Sequence, residues 1–295
     1  MTGTRATLGA VLLLAAVPAG CLSSESQSPG SAAQQETTRR APPPRASIPR
    51  EPGRLAERLT ETHRSLGEAI DDWRERGELG TWPPPRTVTL WALHQQRIHL
   101  LLTGRPRLAR RVTARLPAAV AAHLRATFLA RRGLGKITPL TPGRYRTGPP
   151  EPAARLLRHY RSAQRRFAVP WPVLAAVNFV ESGFGRLRNS SAAGAQGPMQ
   201  FIPSTWEAYG MGGDVDDPRD AIMGAANYLH ASGAPADVAA ALYAYNPSAR
   251  YVRAVLAYTA RIRRDPRAFL SYYSWQVFVR MPSGGTRRIT GPRPR

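Results

Sequence analysis

Glu181 is the residue from which chemistry can be argued first. It closes an apolar run, Val173 to Val180, and is followed by Ser182, Gly183 and then a Gly- and Ala-rich stretch from Ser190 to Gln200. A carboxylate placed where a hydrophobic helix ends beside a glycine-built loop suits acid/base work. Packing against Phe179, Val180 or Phe184 disfavours the ionised form, raises the pKa and keeps a proton for a leaving group near neutral pH. The bland alternative is a surface Glu in a last helical turn, which the helix dipole opposes by only about 0.3–1 kcal/mol. Two further stretches follow in order: Gly194-Ala195-Gln196-Gly197-Pro198-Met199-Gln200 and Tyr243-Ala244-Tyr245-Asn246. Gly194 and Gly197 permit turns closed to other residues and a close approach of a ligand to the main chain. Gln200 offers an amide donor and acceptor, and Met199 a pliable apolar wall. Tyr245 and Asn246 can hydrogen-bond a ligand or hold Glu181 in place. Taken singly, each of these reads more readily as loop packing or a helix end.

Cleavage of a glycosidic bond commonly uses two carboxylates, about 5–5.5 Å apart for retention or 6.5–9.5 Å for inversion, and these motifs hold one. Asp214, Asp216, Asp217 and Asp220 come next along the chain. Asp217-Pro218 reads as a helix start with Asp217 as its cap, and the cluster lacks the twelve-residue spacing of a calcium loop.

The three stretches together, Glu181-Ser182-Gly183-Phe184, Gly194 to Gln200 and Tyr243 to Asn246, resemble the soluble-lytic-transglycosylase family, relatives of goose-type lysozyme. The likeness covers roughly the last 130 residues and leaves the first half unexplained. It implies a lysozyme-like domain acting on the glycan strands of peptidoglycan, with no cofactor and no metal. It also implies that one Glu serves as acid and then base. In that scheme the Glu protonates the N-acetylmuramic acid–N-acetylglucosamine bond, the neighbouring acetamido group stabilises the sugar cation, and the muramoyl C6 hydroxyl attacks to leave a 1,6-anhydromuramoyl end. Carried over by position, Glu181 is that acid/base, and Ser182, Gly197, Met199, Gln200, Tyr245 and Asn246 line the site. Two other outcomes use the same residues: a muramidase that admits water, and a non-catalytic wall-binding lipoprotein that retains the old groove.

The elements that must position these residues read as mainly α. Leu55, Leu59, Leu66 and Ile70 mark a helix from Arg54 to about Arg76, Trp82-Pro83-Pro84-Pro85 is a break, and residues 87–102 and 106–132 give two more helices. Residues 54–135 thus form a helical accessory region, 136–152 a linker rich in Pro and Gly, and 153–282 the lysozyme-like domain, with a basic tail over 283–295. Within the last domain, helices are expected over 153–167, from Pro172 to Glu181, from Pro203, from Pro218 to about Leu229, from Pro235 through Tyr243 and over 249–262. Trp275 to Val279 is the one strand signal. His94, His99 and His123 invite a metal reading. The five-residue spacing of His94 and His99 puts them off a common helix face, which favours satisfied structural histidines.

The ends read as accessory. Arg5, the apolar stretch Leu8 to Val17 and the small pair Ala19-Gly20 before Cys21, the only cysteine, form a secretory signal of residues 1–20 whose end resembles a bacterial lipobox. The apolar stretch is too short to span a bilayer. A lipid on Cys21 then anchors an exported protein to the outer face of the cytoplasmic membrane, with residues 21–53 as a disordered tether. The net charge of +23 comes from 42 basic residues of which Lys136 is the sole lysine. It is spread over both halves without a basic stripe interleaved with aromatics, so nucleic acid is not the expected partner. The anionic cell envelope is the partner such charge meets after export. The sequence names no protein partner.

Overall fold

The computed structural model describes residues 40–134, 145–281 and 285–292. The signal, the lipobox and Cys21 lie outside the described residues. The described part is mainly helical and forms one compact unit.

Helix α1 (Pro52–Glu75) starts where Glu51 accepts the free N–H groups of Gly53 and Arg54 at 2.8 and 2.7 Å, with Pro52 in the first turn. Its Leu55, Leu59, Leu66, Ile70 and Trp73 form one buried stripe. After the Trp82–Pro85 break come α2 (Arg86–Thr103), α3 (Pro106–Thr113) and α4 (Ala118–Leu134). The single helix expected over 106–132 is therefore two. The chain breaks between them at Pro117, which cannot donate to a preceding turn.

The C-terminal half continues with α5 (Ala153–Phe167), α6 (Trp171–Ser182), α7 (Pro203–Tyr209), α8 (Pro218–Ala231), α9 (Val238–Tyr245), α10 (Ala249–Arg264) and α11 (Arg267–Tyr273). Asp217 caps α8 through the N–H groups of Arg219 and Asp220 as expected. Helix α11 has no counterpart in the sequence reading: every residue from Ala268 to Tyr273 is buried, so no polar face betrays a helical period. The strand expected over 275–279 is shorter, β1 (Phe278–Arg280), and pairs antiparallel with β2 (Thr286–Arg288). Part of the expected basic tail is thus a paired strand.

The expected boundary between the accessory region and the lysozyme-like domain is not a boundary between cores. Leu66, Ile70 and Trp73 of α1, Val88 and Trp91 of α2 and Ala130 of α4 belong to one apolar cluster with Leu156, Leu174, Phe184, Tyr258, Tyr272 and Tyr273. Buried polar groups cross the same junction. Gln96 exchanges two hydrogen bonds with the Gln276 backbone (2.7 and 2.8 Å), and Ser271 Oγ donates to Gln95 Oε1 (3.1 Å). A second cluster, built from Leu55, Leu59, Ile98, Leu102, Val112 and Leu124, closes the far end. Residues 40–53, expected as tether, lie on this body: Ile48 packs on the second cluster and Arg97 donates to the Ala46 carbonyl at 2.7 Å.

The histidines are structural but not satisfied. His99 and His123 pack against each other in the α2–α4–α11 interior, with His123 also against Tyr272 and edge to face with His63, and His99 edge to face with Trp275. His123 Nδ1 accepts from Arg261 Nε at 2.9 Å, whereas both ring nitrogens of His94 and of His99 lack partners. Burial holds His99 down to about 3 and His94 to about 4, so both rings stay neutral.

Candidate active site

Helix α6 carries Glu181 to its place. Pro172 starts it, and Val173 to Asn178 drive it through the core, where Asn178 Nδ2 donates to Tyr160 Oη at 2.9 Å. Gly183 ends it at φ 62°, with Gly183 N donating back to the Phe179 carbonyl at 3.1 Å. Glu181 therefore stands in the last turn of a helix whose apolar length is fixed, and its side chain is partly buried.

Tyr251, in the first turn of α10, donates its phenol to Glu181 Oε1 at 2.6 Å. Oε2 has no protein partner among the described residues and is not sealed from solvent. Burial raises the Glu181 pKa to about 7, and the Tyr251 hydrogen bond, which favours the carboxylate, offsets part of that rise. The Tyr251 and Tyr245 phenols are both pushed up, by burial first and by the Glu181 charge second, so both remain donors.

The second motif is a tight hairpin. Gln196 and Phe201 exchange both backbone hydrogen bonds at 2.8 Å, with Gly197 at φ 73° and Gln200 at φ 54° inside the turn. Two side chains brace it. Ser182 Oγ donates to the Pro198 carbonyl at 2.6 Å while accepting from Gly185 N at 2.7 Å, and Tyr245 Oη donates to the Met199 carbonyl at 2.7 Å. The hairpin is thus tied to the Glu181 helix on one side and to α9 on the other.

These ties revise what several expected site residues can do. Ser182 and Met199 are buried, so they shape the site from behind. Gly197 is required because the Val215 carbonyl stands 1.9 Å from where a Cβ would sit; the close approach is by protein backbone. Gln200 Nε2 is engaged by the Gly197 carbonyl at 3.0 Å and not by Glu181. The Asn246 side chain is partly exposed and makes no hydrogen bond among the described residues. Asp214 and Asp220 accept backbone N–H groups of their own turn. Trp171, Phe201 and Trp206, weighed as sugar-stacking surfaces, all pack on the core, with Phe201 buried. A row of rings, Tyr209, Tyr228, Tyr245 and Phe201, runs beside the hairpin at centroid spacings of 4.7, 5.6 and 5.9 Å.

Tyr251 is the residue that sequence reasoning missed. The available signal was a tyrosine in the first turn of the helix that follows Tyr245-Asn246, with Ser248 as its N-cap.

Against protein-family models, the stretch from His159 to Asp265 matches that of the Transglycosylase SLT domain. The C-terminal half carries an SLT domain. Neither the curated proteins nor the solved structures gave a match. The matched stretch contains Glu181, the hairpin, Tyr245 and Tyr251, and the match supports a peptidoglycan-acting function of the lytic-transglycosylase type in an exported protein. Among the described residues no helix is long and apolar enough to cross a membrane.

The raised pKa of Glu181 carries a stability consequence. The folded protein keeps the proton up to about pH 7, whereas the unfolded chain loses it near 4.5. Stability therefore falls as pH rises through that window, by roughly 3 kcal/mol in all. Glu181→Gln, which is always neutral and still accepts from Tyr251, should melt several degrees above the parent at pH 8 and no higher at pH 4. An equal difference in melting temperature at both pH values would rule out a buried acid.

Proposed function

We propose that the SLT domain is a peptidoglycan lytic transglycosylase in which Glu181 is acid and then base. One observation carries this reading: a carboxyl with a pKa of about 7, held through Oε1 by Tyr251 and open at Oε2. At neutral pH a large share of molecules holds the proton on Glu181. Transfer of that proton to the glycosidic oxygen breaks its bond to muramoyl C1, and the N-acetylglucosamine fragment leaves as an alcohol. The substrate's own acetamido group stabilises the cationic carbon. The Glu181 carboxylate then takes the C6 hydroxyl proton as O6 bonds to C1, which closes the 1,6-anhydro ring and restores the acid. No second protein carboxylate is needed, in keeping with a site in which, among the described residues, the polar partner of Glu181 is Tyr251.

Anchoring by a lipid on Cys21 at the outer face of the cytoplasmic membrane is part of the same proposal, since it would hold the domain beside its polymer. The deciding experiment is mass spectrometry of muropeptides released from purified sacculi by the parent and by Glu181→Gln. Anhydro ends from the parent alone support the transglycosylase. Reducing ends select a muramidase that admits water, and no product from either protein selects a wall-binding role.

Tyr251 acts on this acid by position. Tyr251→Phe removes a hydrogen bond that favours the carboxylate, so the alkaline limb of kcat/KM should move up by about one pH unit while kcat falls roughly tenfold. A fall in rate with the limb unmoved would mean that Tyr251 serves packing only.

A further inference from the structure

We propose that the arginine face of α3 is a docking surface for an anionic lipid bilayer. Between Glu78 and Glu151 the sequence has no acidic residue, yet it carries twelve arginines and Lys136. The densest part is Arg105 to Arg115. Arg107, Arg110 and Arg111, three and four apart, share one side of α3, while Ala109 and Val112 are buried on the other and Leu108 packs on the second cluster. The apolar side of the helix is therefore used within the protein, and what faces outward is guanidinium.

Arg105, Arg107, Arg110, Arg111 and Arg115 are all exposed, and none is in an ion pair among the described residues. The Glu51 carboxylate feels Arg115, but it is engaged as the cap of α1. No aromatic stands between Arg105 and Arg115 to stack on a sugar, so the array suits a surface of phosphate headgroups better than a single glycan strand.

The chain's path favours the same occupant. The second cluster brings Ile48 and the start of α1 against α3, so the described chain enters beside this face. Cys21 lies nineteen residues before Arg40, a stretch that spans at most about 65 Å. A lipid there would keep the α3 face within reach of the bilayer, and each basic residue near an anionic surface contributes about a fivefold gain in binding within a Debye length. The inference rests on the lipid-anchor reading for this placement alone.

The test is vesicle cosedimentation of residues 39–295, the compact unit, which lacks Cys21. Vesicles of phosphatidylcholine with roughly one-third phosphatidylglycerol are compared with phosphatidylcholine alone. The parent should favour the anionic vesicles at least tenfold, and raised salt should erase the preference. Arg107→Gln/Arg110→Gln/Arg111→Gln should lose on the order of 100-fold, while the matching lysine triple should stay within a few-fold of the parent. Removing the same charge from α5, with Arg158→Gln/Arg161→Gln/Arg165→Gln, should also leave binding within a few-fold of the parent. Equal losses in the α3 and α5 glutamine triples would reduce the effect to net charge and overturn the proposal. So would loss in the lysine triple, or soluble polyphosphate binding that vesicles fail to displace. Because the assay omits Cys21, its failure is separate from failure of the anchor, which fatty-acid labelling of the full chain against Cys21→Ser reads directly.

Discussion

Glu181→Gln should release anhydromuropeptides from sacculi between 10²- and 10⁴-fold more slowly than the parent, the range that a positioned general acid contributes. The substitution keeps the shape of the side chain and an oxygen for the Tyr251 phenol, which donates at 2.6 Å in the parent. What is lost is the acidic proton. Binding of undigested sacculi should therefore persist, and the loss should fall on kcat. The far-ultraviolet circular dichroism spectrum should be unchanged. A mutant that retains a tenth or more of the parental rate would move the acid elsewhere.

The second large effect is expected at Gly197. A Cβ there would meet the Val215 carbonyl oxygen at 1.9 Å and its carbon at 2.9 Å, and φ is 73°. The left-handed backbone alone costs a non-glycine residue about 1–2 kcal/mol, and the collision forces either the hairpin or the 214–217 turn to move. Gly197→Ala should thus destabilise by more than about 3 kcal/mol. It should also abolish turnover, because the same hairpin supplies the carbonyls held by Ser182 and Tyr245. Gly194→Ala is the control: φ is 80° there, but nothing lies within 4 Å of the added carbon, so only the backbone cost applies. Urea titrations that place the two variants at equal stability would contradict the packing argument.

Much of this was legible before the structure. Prolines at 172, 203 and 218 announced helix starts because an N-terminal turn has no use for the missing N–H, and Asp217 announced its cap. The environment of Glu181 was legible too, since an apolar helix that ends in a carboxylate leaves it few places to go but a dry one. What sequence could not give was the partner of that carboxylate. Tyr251 meets Glu181 across seventy positions through the angle between α6 and α10, and nothing local to either residue encodes that angle. Helix α11 was hidden for a related reason: amphipathic period is visible only when one face is wet, and Ala268 to Tyr273 has none. Ser182, carried over by position, and Met199, read by type as an apolar wall, were expected to line the site, but both are buried, and which carbonyl Ser182 meets, that of Pro198 sixteen residues on, is set by how the hairpin folds back.

The core that α1 and α2 share with the SLT domain bears on how this chain could have been assembled. Cut at residues 153 and 282, the C-terminal half would present to water the surface that now receives Leu66, Ile70, Trp73 and Trp91, together with the Gln276 backbone groups that now pair with Gln96. Such a fragment would aggregate instead of folding. Residues 159–265 expressed alone should therefore give no working copy, and a functional fragment has to carry α1 and α2 with it.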